Sequence, residues 1–258
     1  MRIEIQKELK RLEIQHHIKI LYAVESGSRA WGFASTDSDW DVRFIYVHPL
    51  DWYLQIDTVK DSLEEILPND IDLAGWELQK ALKLFRKSNP PMLEWLRSPI
   101  VYLENYSTAD HLRILTKQYF NPRSCLHHYL HMAEGNYREY LQKDIVRTKK
   151  YLYVLRPVLA CRWIYETQTI PPMEFSQLLN TQLSDKQVRL VVDNLLLRKA
   201  SGKELYEEPK IEVLNNYLDK EITFFRDYIK SLPSPSQPDT NALNQLFKQT
   251  INEVWIDH

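Results

Sequence analysis

Three aspartates and a Gly-Ser pair are the residues of this chain whose spacing could do chemistry. Gly27 and Ser28 are followed, eleven positions after Ser28, by the Asp-x-Asp of Asp39 and Asp41, which opens a largely apolar run. Apolar residues also precede the pair: Ile18, Ile20, Leu21, Ala23 and Val24. The pattern predicts strand, tight loop, strand. Residues i and i+2 of a strand point to the same face, so Asp39 and Asp41 stand side by side. Two carboxylates that close repel each other unless a cation lies between them. Mg²⁺ suits such a pair, because it takes few protein carboxylates and completes its shell with water and substrate phosphates. The Gly-Ser turn supplies the anion side: glycine lets backbone N–H groups approach a phosphate closely, and the Ser28 hydroxyl adds a donor.

A two-metal site needs a third carboxylate. Asp72, in Asp70-Ile71-Asp72-Leu73, is the candidate. On a short strand it faces its neighbours while Ile71 and Leu73 face the core. Asp70 has the same parity but lies in the turn after Asn69 and ranks below it. An isolated aspartate is usually a solvated loop residue; the combination of Gly-Ser, Asp-x-Asp at a strand start and a later strand Asp argues otherwise. Rival motifs fail. Asp37-x-Asp39-x-Asp41 resembles the start of a calcium loop, but its sixth position is Val42 and its twelfth is His48. No Gly-Lys-Ser/Thr of a P-loop is present, and Gly27 with Gly32 does not make a dinucleotide fingerprint.

The elements that must position these residues follow from periodicity. Residues 2–16 read as a helix with an apolar stripe of Ile3, Leu9, Leu12 and Ile14. Residues 18–25 and 40–47 read as strands, with 26–38 a loop of turn formers between them. Short strands are predicted over 51–56, 57–66 and 71–73, then a helix from Trp76 to Arg86 that Asn89-Pro90-Pro91 ends. A short helix through Glu94 and Trp95 precedes a last strand over 100–103. After Asn105 no strand pattern recurs. Helices are predicted over 107–119, 122–142, 145–167, 173–180, 184–198, 209–231 and 239–254, with a proline-rich linker at 232–240. The expected class is therefore α+β, with a mixed N-terminal domain over 1–105 and an all-helical domain over 106–258.

Composition bounds the function. The chain has 258 residues and a net charge of −2, which leaves no global positive field for coating a polyanion, though a local basic patch is compatible. Cys125 and Cys161 lack metal spacing and read as buried thiols in a reducing compartment. The amphipathic N-terminus has no signal-peptide core and no apolar run spans a bilayer, so a cytoplasmic protein without membrane partners is expected. His127 and His131 at i, i+4 with Glu134 nearby lack a third zinc ligand pattern and read as cleft or surface histidines. Trp95, Trp163 and Tyr151 read as core aromatics.

The Gly-Ser turn, spacer, Asp-x-Asp and later Asp together resemble the DNA polymerase β-type nucleotidyltransferase superfamily. More narrowly, GSRAWGFASTDSDWDVRFIYV, Asp72, SNPPMLEWLRSPI and KKYLYVLRPVLACRWI resemble the RNA-ligase-associated nucleotidyltransferases, a likeness that covers most of the chain. The resemblance implies a nucleotidyltransferase sheet with flanking helices and an appended helical domain. It implies a nucleoside triphosphate, ATP foremost, bound with Mg²⁺ or Mn²⁺. Asp39, Asp41 and Asp72 would be both catalytic and metal-holding, around two ions roughly 3.5–4 Å apart. Gly27 and Ser28 would take the β and γ phosphates, and attack on the α-phosphorus would release pyrophosphate.

Arg29, beside the turn, reads either as a phosphate partner or as a surface arginine. Lys149, Tyr153 and Arg156 share one helix face at i, i+4 and i+7, which fits a phosphate clamp or a solvated face, with Lys150 as the alternative lysine. The acceptor hydroxyl is open: an RNA end, as the resemblance suggests, a small molecule or a protein. A non-catalytic nucleotide-binding regulator, antitoxin-like, is the alternative from another class.

Overall fold

The computed structural model describes residues 1–57, 59–201, 207–233 and 238–256. In chain order the elements are α1 (Arg2–His16), β1 (Lys19–Glu25), α2 (Gly27–Ala30), β2 (Trp40–Val47), α3 (Leu50–Tyr53), β3 (Ser62–Ile66), β4 (Ile71–Glu77), α4 (Leu78–Arg86), α5 (Pro90–Trp95), β5 (Val101–Glu104) and α6 (Thr108–Tyr119). Then follow α7 (Pro122–Tyr140), β6 (Ile145–Arg147), α8 (Lys150–Thr167), α9 (Phe175–Gln182), α10 (Lys186–Ala200), β7 (Glu207–Pro209), α11 (Glu212–Ser231) and α12 (Asn241–Trp255).

Two compact units arise. The first holds Met1–Ala30, Asp39–Tyr119 and Gln237–His258; the second holds Trp31–Ser38 and Phe120–Ser236. The chain thus leaves the first unit between Gly-Ser and Asp-x-Asp, and α12 belongs with the sheet although the sequence places it among the later helices. Residues 234–237 of the proline-rich stretch lie outside the described residues, as does Thr58 of the strand expected over 57–66.

The first unit is built on a five-stranded mixed sheet in the order β3-β4-β2-β1-β5. β1 runs antiparallel to β2 and β5, β2 runs parallel to β4, and β3 closes antiparallel on β4. Alternation decides its faces. Val42, Phe44, Ile71 and Leu73 are buried and pack with Ile5, Leu9 and Leu12 of α1. The expected α1 stripe needs correction here: Ile3 is 82 % and Ile14 is 74 % exposed. Positions 5, 9 and 12 lie on one side of a helix at about 100° per residue, whereas 3 and 14 fall nearly opposite.

Three further expectations change. Residues 50–53 form a helical turn, not a strand. β4 runs on to Glu77, whose carboxylate caps α4 by accepting from the Gln79 and Lys80 N–H groups at 2.7 and 3.3 Å. Asn-Pro-Pro does not merely end a helix. Asn89 caps α5 by accepting from Met92 N at 3.2 Å, and the prolines fill its first turn, where no N–H is needed.

The second unit is helical apart from one ribbon, β6 against β7. The helix expected from 145 therefore begins at Lys150. A three-residue strand whose partner lies some sixty residues downstream leaves no local pattern. Tyr151 is buried, donating to Asn215 and accepting from Ile211 N at 2.8 Å. In the first unit Trp95 is buried and stacks on Trp76 with ring centroids 3.9 Å apart. Both cysteines are buried, and burial pushes the Cys161 thiol well above its ordinary range. Among the described residues no helix is long and apolar enough to cross a membrane.

Candidate active site

Parallel pairing of β2 with β4 sets Asp41 directly opposite Asp72. Both carboxylates lie on the sheet face away from α1, as their parity against Val42, Ile71 and Leu73 requires. Between them stands Arg43, one i, i+2 step further along the same face. Its Nη2 donates to Asp41 Oδ1 at 2.9 Å and to Asp72 Oδ2 at 2.8 Å. Its Nη1 donates to the carbonyls of Val42 at 3.1 Å and Asp72 at 2.8 Å. All three side chains are part-buried.

Asp41 also meets the Gly-Ser turn. Gly27 has a φ of +58°, and a Cβ there would lie 2.0 Å from Asp41 Oδ2. Only glycine fits, for backbone and for space. Burial is the main push on the Asp41 carboxyl, and it acts upward; Asp72 and Asp39 add to it, while Arg43 and Arg29 pull it back. Asp39 is exposed and lies just before β2 rather than within it, and its carbonyl accepts from Arg29 Nε at 3.0 Å. The Arg29 guanidinium lies 3.7 Å over the Trp40 ring, so it is held beside the turn. Ser28 is buried, at 3 % exposure.

Glu25, which ends β1, was not singled out in the sequence. It is fully buried, accepts from Asp41 N at 2.9 Å and takes the Tyr102 hydroxyl. Burial pushes its carboxyl up, and those two hydrogen bonds hold it partly down. It fixes the backbone of Asp41 from below. A glutamate closing an otherwise apolar strand was the available signal. For Arg43 the signal was the parity that pairs Asp39 with Asp41, extended by one more step.

Lys149 and Arg156 belong to the second unit. Arg156 is 1 % exposed, donates from Nη2 to the Met173 carbonyl at 3.2 Å and lies 4.4 Å from the Trp31 ring centroid. Trp31 packs edge-on to Tyr153, Phe33 packs on Phe175, and Phe175 N donates to Trp31 O at 2.9 Å. The spacer between Gly-Ser and Asp-x-Asp is thus an aromatic anchor within that unit, and Arg156 is part of it. Lys149 is exposed at the start of α8. Burial lowers the Lys150 and Lys199 ammonium groups, and Lys149 adds to the effect in both.

The donor set fits a hard cation. Asp41 and Asp72 offer hard oxygens and already share one positive charge, and Asp41 lies in the space that Gly27 leaves open. Mg²⁺ is commonly held by one or two carboxylates plus substrate phosphates. Among the described residues no group of three or more His, Cys, Asp or Glu is gathered closely enough to hold a metal. At the histidines of α7, Glu134 accepts from Arg226 at 2.8 Å.

The family model described as the RNA repair pathway DNA polymerase beta family, RlaP, matches residues 1–249. The chain belongs to this family. The RlaP assignment agrees with the mixed sheet and the helical region that follows it. A relative of Bacillus subtilis (strain 168), the uncharacterized protein YcgL, is 47 % identical over 257 residues, spanning 100 % of this chain and 99 % of that protein. A nucleotidyltransferase-like protein from Exiguobacterium sibiricum 255-15 is 12 % identical and superposes over 96 % of this chain and 80 % of its own with a TM-score of 0.32, too loose to carry an inference.

Proposed function

We propose that this RlaP-family chain is a Mg²⁺- or Mn²⁺-dependent nucleotidyltransferase. It moves a nucleoside monophosphate from a nucleoside triphosphate, ATP first among them, to a hydroxyl acceptor and releases pyrophosphate. The carrying observation is the cross-strand pair Asp41 and Asp72, which share one guanidinium, with Asp41 set against Gly27. Asp41 and Asp72 are the residues that would hold the metal, which would neutralise triphosphate charge and acidify the acceptor hydroxyl. Asp72 serves as acceptor for that hydroxyl's proton. Gly27, Ser28 and Arg29 take the phosphate side. The unit that carries the sheet forms the catalytic part, and the helical unit selects the acceptor. The family's description favours an RNA end.

The test uses triphosphates labelled at the α-phosphorus, incubated with total RNA, protein and small-molecule acceptors. Label transfer and pyrophosphate release are expected with divalent metal, and Asp72→Asn removes both. The double variant Asp39→Asn plus Asp41→Asn loses metal-dependent triphosphate binding while far-UV circular dichroism shows it folded, since the amide oxygen at position 41 still offers Arg43 an acceptor. Wild-type release by Asp72→Asn would sink the assignment.

One observation favours a second reading. Arg43 bonds both carboxylates and offsets one of their two negative charges. A regulator that binds nucleotide or a partner without catalysis would need nothing more. Triphosphate binding that persists in EDTA, with no transfer to any acceptor class, would select it.

A further inference from the structure

We propose that Arg43 is the resident cation of the acidic pair and competes with the divalent metal for it. The inference rests on the metal site proposed above. The Nη2 group occupies Asp41 Oδ1 and Asp72 Oδ2 at 2.9 and 2.8 Å, the two atoms that face each other across β2 and β4. A divalent ion drawn to those oxygens would meet a guanidinium of like charge within hydrogen-bond distance of both, and that repulsion opposes its entry. Metal entry therefore displaces Nη2 from at least one carboxylate.

The side chain has somewhere to stay. Its Nη1 is held by the Val42 and Asp72 carbonyls at 3.1 and 2.8 Å, which do not depend on the carboxylates. A guanidinium freed on one side has spare donors in a fork suited to phosphate. A nucleoside triphosphate would satisfy both partners of the exchange: its oxygens complete the metal shell, and its charge receives the displaced Nη2. Metal alone binds weakly, and metal with triphosphate binds cooperatively, because Arg43 penalises the first and rewards the second.

The experiment measures Mn²⁺ binding to the full chain by electron paramagnetic resonance, with Mn²⁺ alone and with a non-hydrolysable α,β-methylene triphosphate. Arg43→Ala and Arg43→Gln are expected to bind Mn²⁺ alone at least tenfold more tightly than the wild type, and to gain less from the analogue. Arg43→Lys, which keeps the charge but not the fork, falls between. Far-UV circular dichroism checks the fold, and Arg43→Gln, close in length, gives the answer should Arg43→Ala unfold. Equal or weaker Mn²⁺ binding in Arg43→Gln, with the wild type binding normally, overturns the competition and makes Arg43 a group that only orients the carboxylates. Absence of Mn²⁺ binding in wild type and variants, with and without analogue, overturns the metal site itself and the inference with it.

Discussion

Replacing Gly27 by alanine separates backbone strain from the packing of the site. Gly27 sits at a φ of +58° and Gly32 at +83°, so alanine is strained at both. That strain costs about 1–2 kcal/mol for an L-residue in the left-handed region. The surroundings differ. A Cβ at Gly32 meets nothing within 4 Å, whereas at Gly27 it would lie 2.0 Å from Asp41 Oδ2 and 2.8 Å from its Cγ. The Asp41 carboxylate must turn away, giving up its bond to Arg43; a hydrogen bond to a charged group contributes about 1.5–3 kcal/mol. Gly32→Ala should therefore lose about 1–2 kcal/mol and Gly27→Ala about 2.5–5 kcal/mol. At about 2–4 °C per kcal/mol for a chain near this size, the first is a small drop in thermal midpoint and the second a drop of several degrees to well over ten. Differential scanning fluorimetry reads both. Triphosphate binding with Mn²⁺ should survive Gly32→Ala and fail in Gly27→Ala. Equal midpoints and equal binding in the two variants would refute the claim that Gly27 is reserved for Asp41.

Two other outcomes test the fold around the site. Gly75 lies on the core face of β4, where a Cβ would come within 2.2 Å of Phe44 Cε2. Gly75→Ala should cost about 1–3 kcal/mol by overpacking, and Phe44→Leu in the same chain should recover part of it, as read from urea midpoints. His48 stacks on Trp52 with ring centroids 4.1 Å apart, and burial, then His16 and His17, pull its pKa down to about 4. Unfolded His titrates near 6.5, so between those values the unfolded chain holds a proton the folded chain lacks, and stability falls as pH drops from about 6.5 toward 4. His48→Asn should flatten that part of the midpoint-versus-pH curve; a curve as steep as wild type would contradict the burial argument.

Much of the candidate site was legible because it depends on local rules. Parity alone put Asp41 on the face opposite Val42 and put Asp72 opposite Ile71 and Leu73. The turn assignment of Asp70 matches its φ of +61°. The aromatic character of Trp31 and Phe33 was visible, but not their destination: they pack on residues of α8 and α9, more than a hundred positions away in the chain. For the same reason β6 and β7 escaped notice, since each strand is too short to show a period and only the pairing makes it a strand. Periodicity put Lys149 and Arg156 on one helix face, but it cannot say which part of a face is exposed, and Lys149 stands at the N-cap of α8 while Arg156 lies within it. The fold exposes Lys149 and buries Arg156 against Trp31.

The sequence by itself determined which residues could bear charge on a common strand face, and which glycine could follow the first strand, because side-chain alternation and backbone sterics act between neighbours. The tertiary structure decided what those charges meet. Parallel register brought Asp72 opposite Asp41, the space left by Gly27 admitted the Asp41 carboxylate, and Glu25 fixed the backbone beneath it. Above all, Arg43 became the counter-charge of both aspartates rather than a surface arginine. Coulomb attraction and hydrogen bonding depend on distance through space, and in a sheet that distance is set by which strands pair, a choice made by the whole chain.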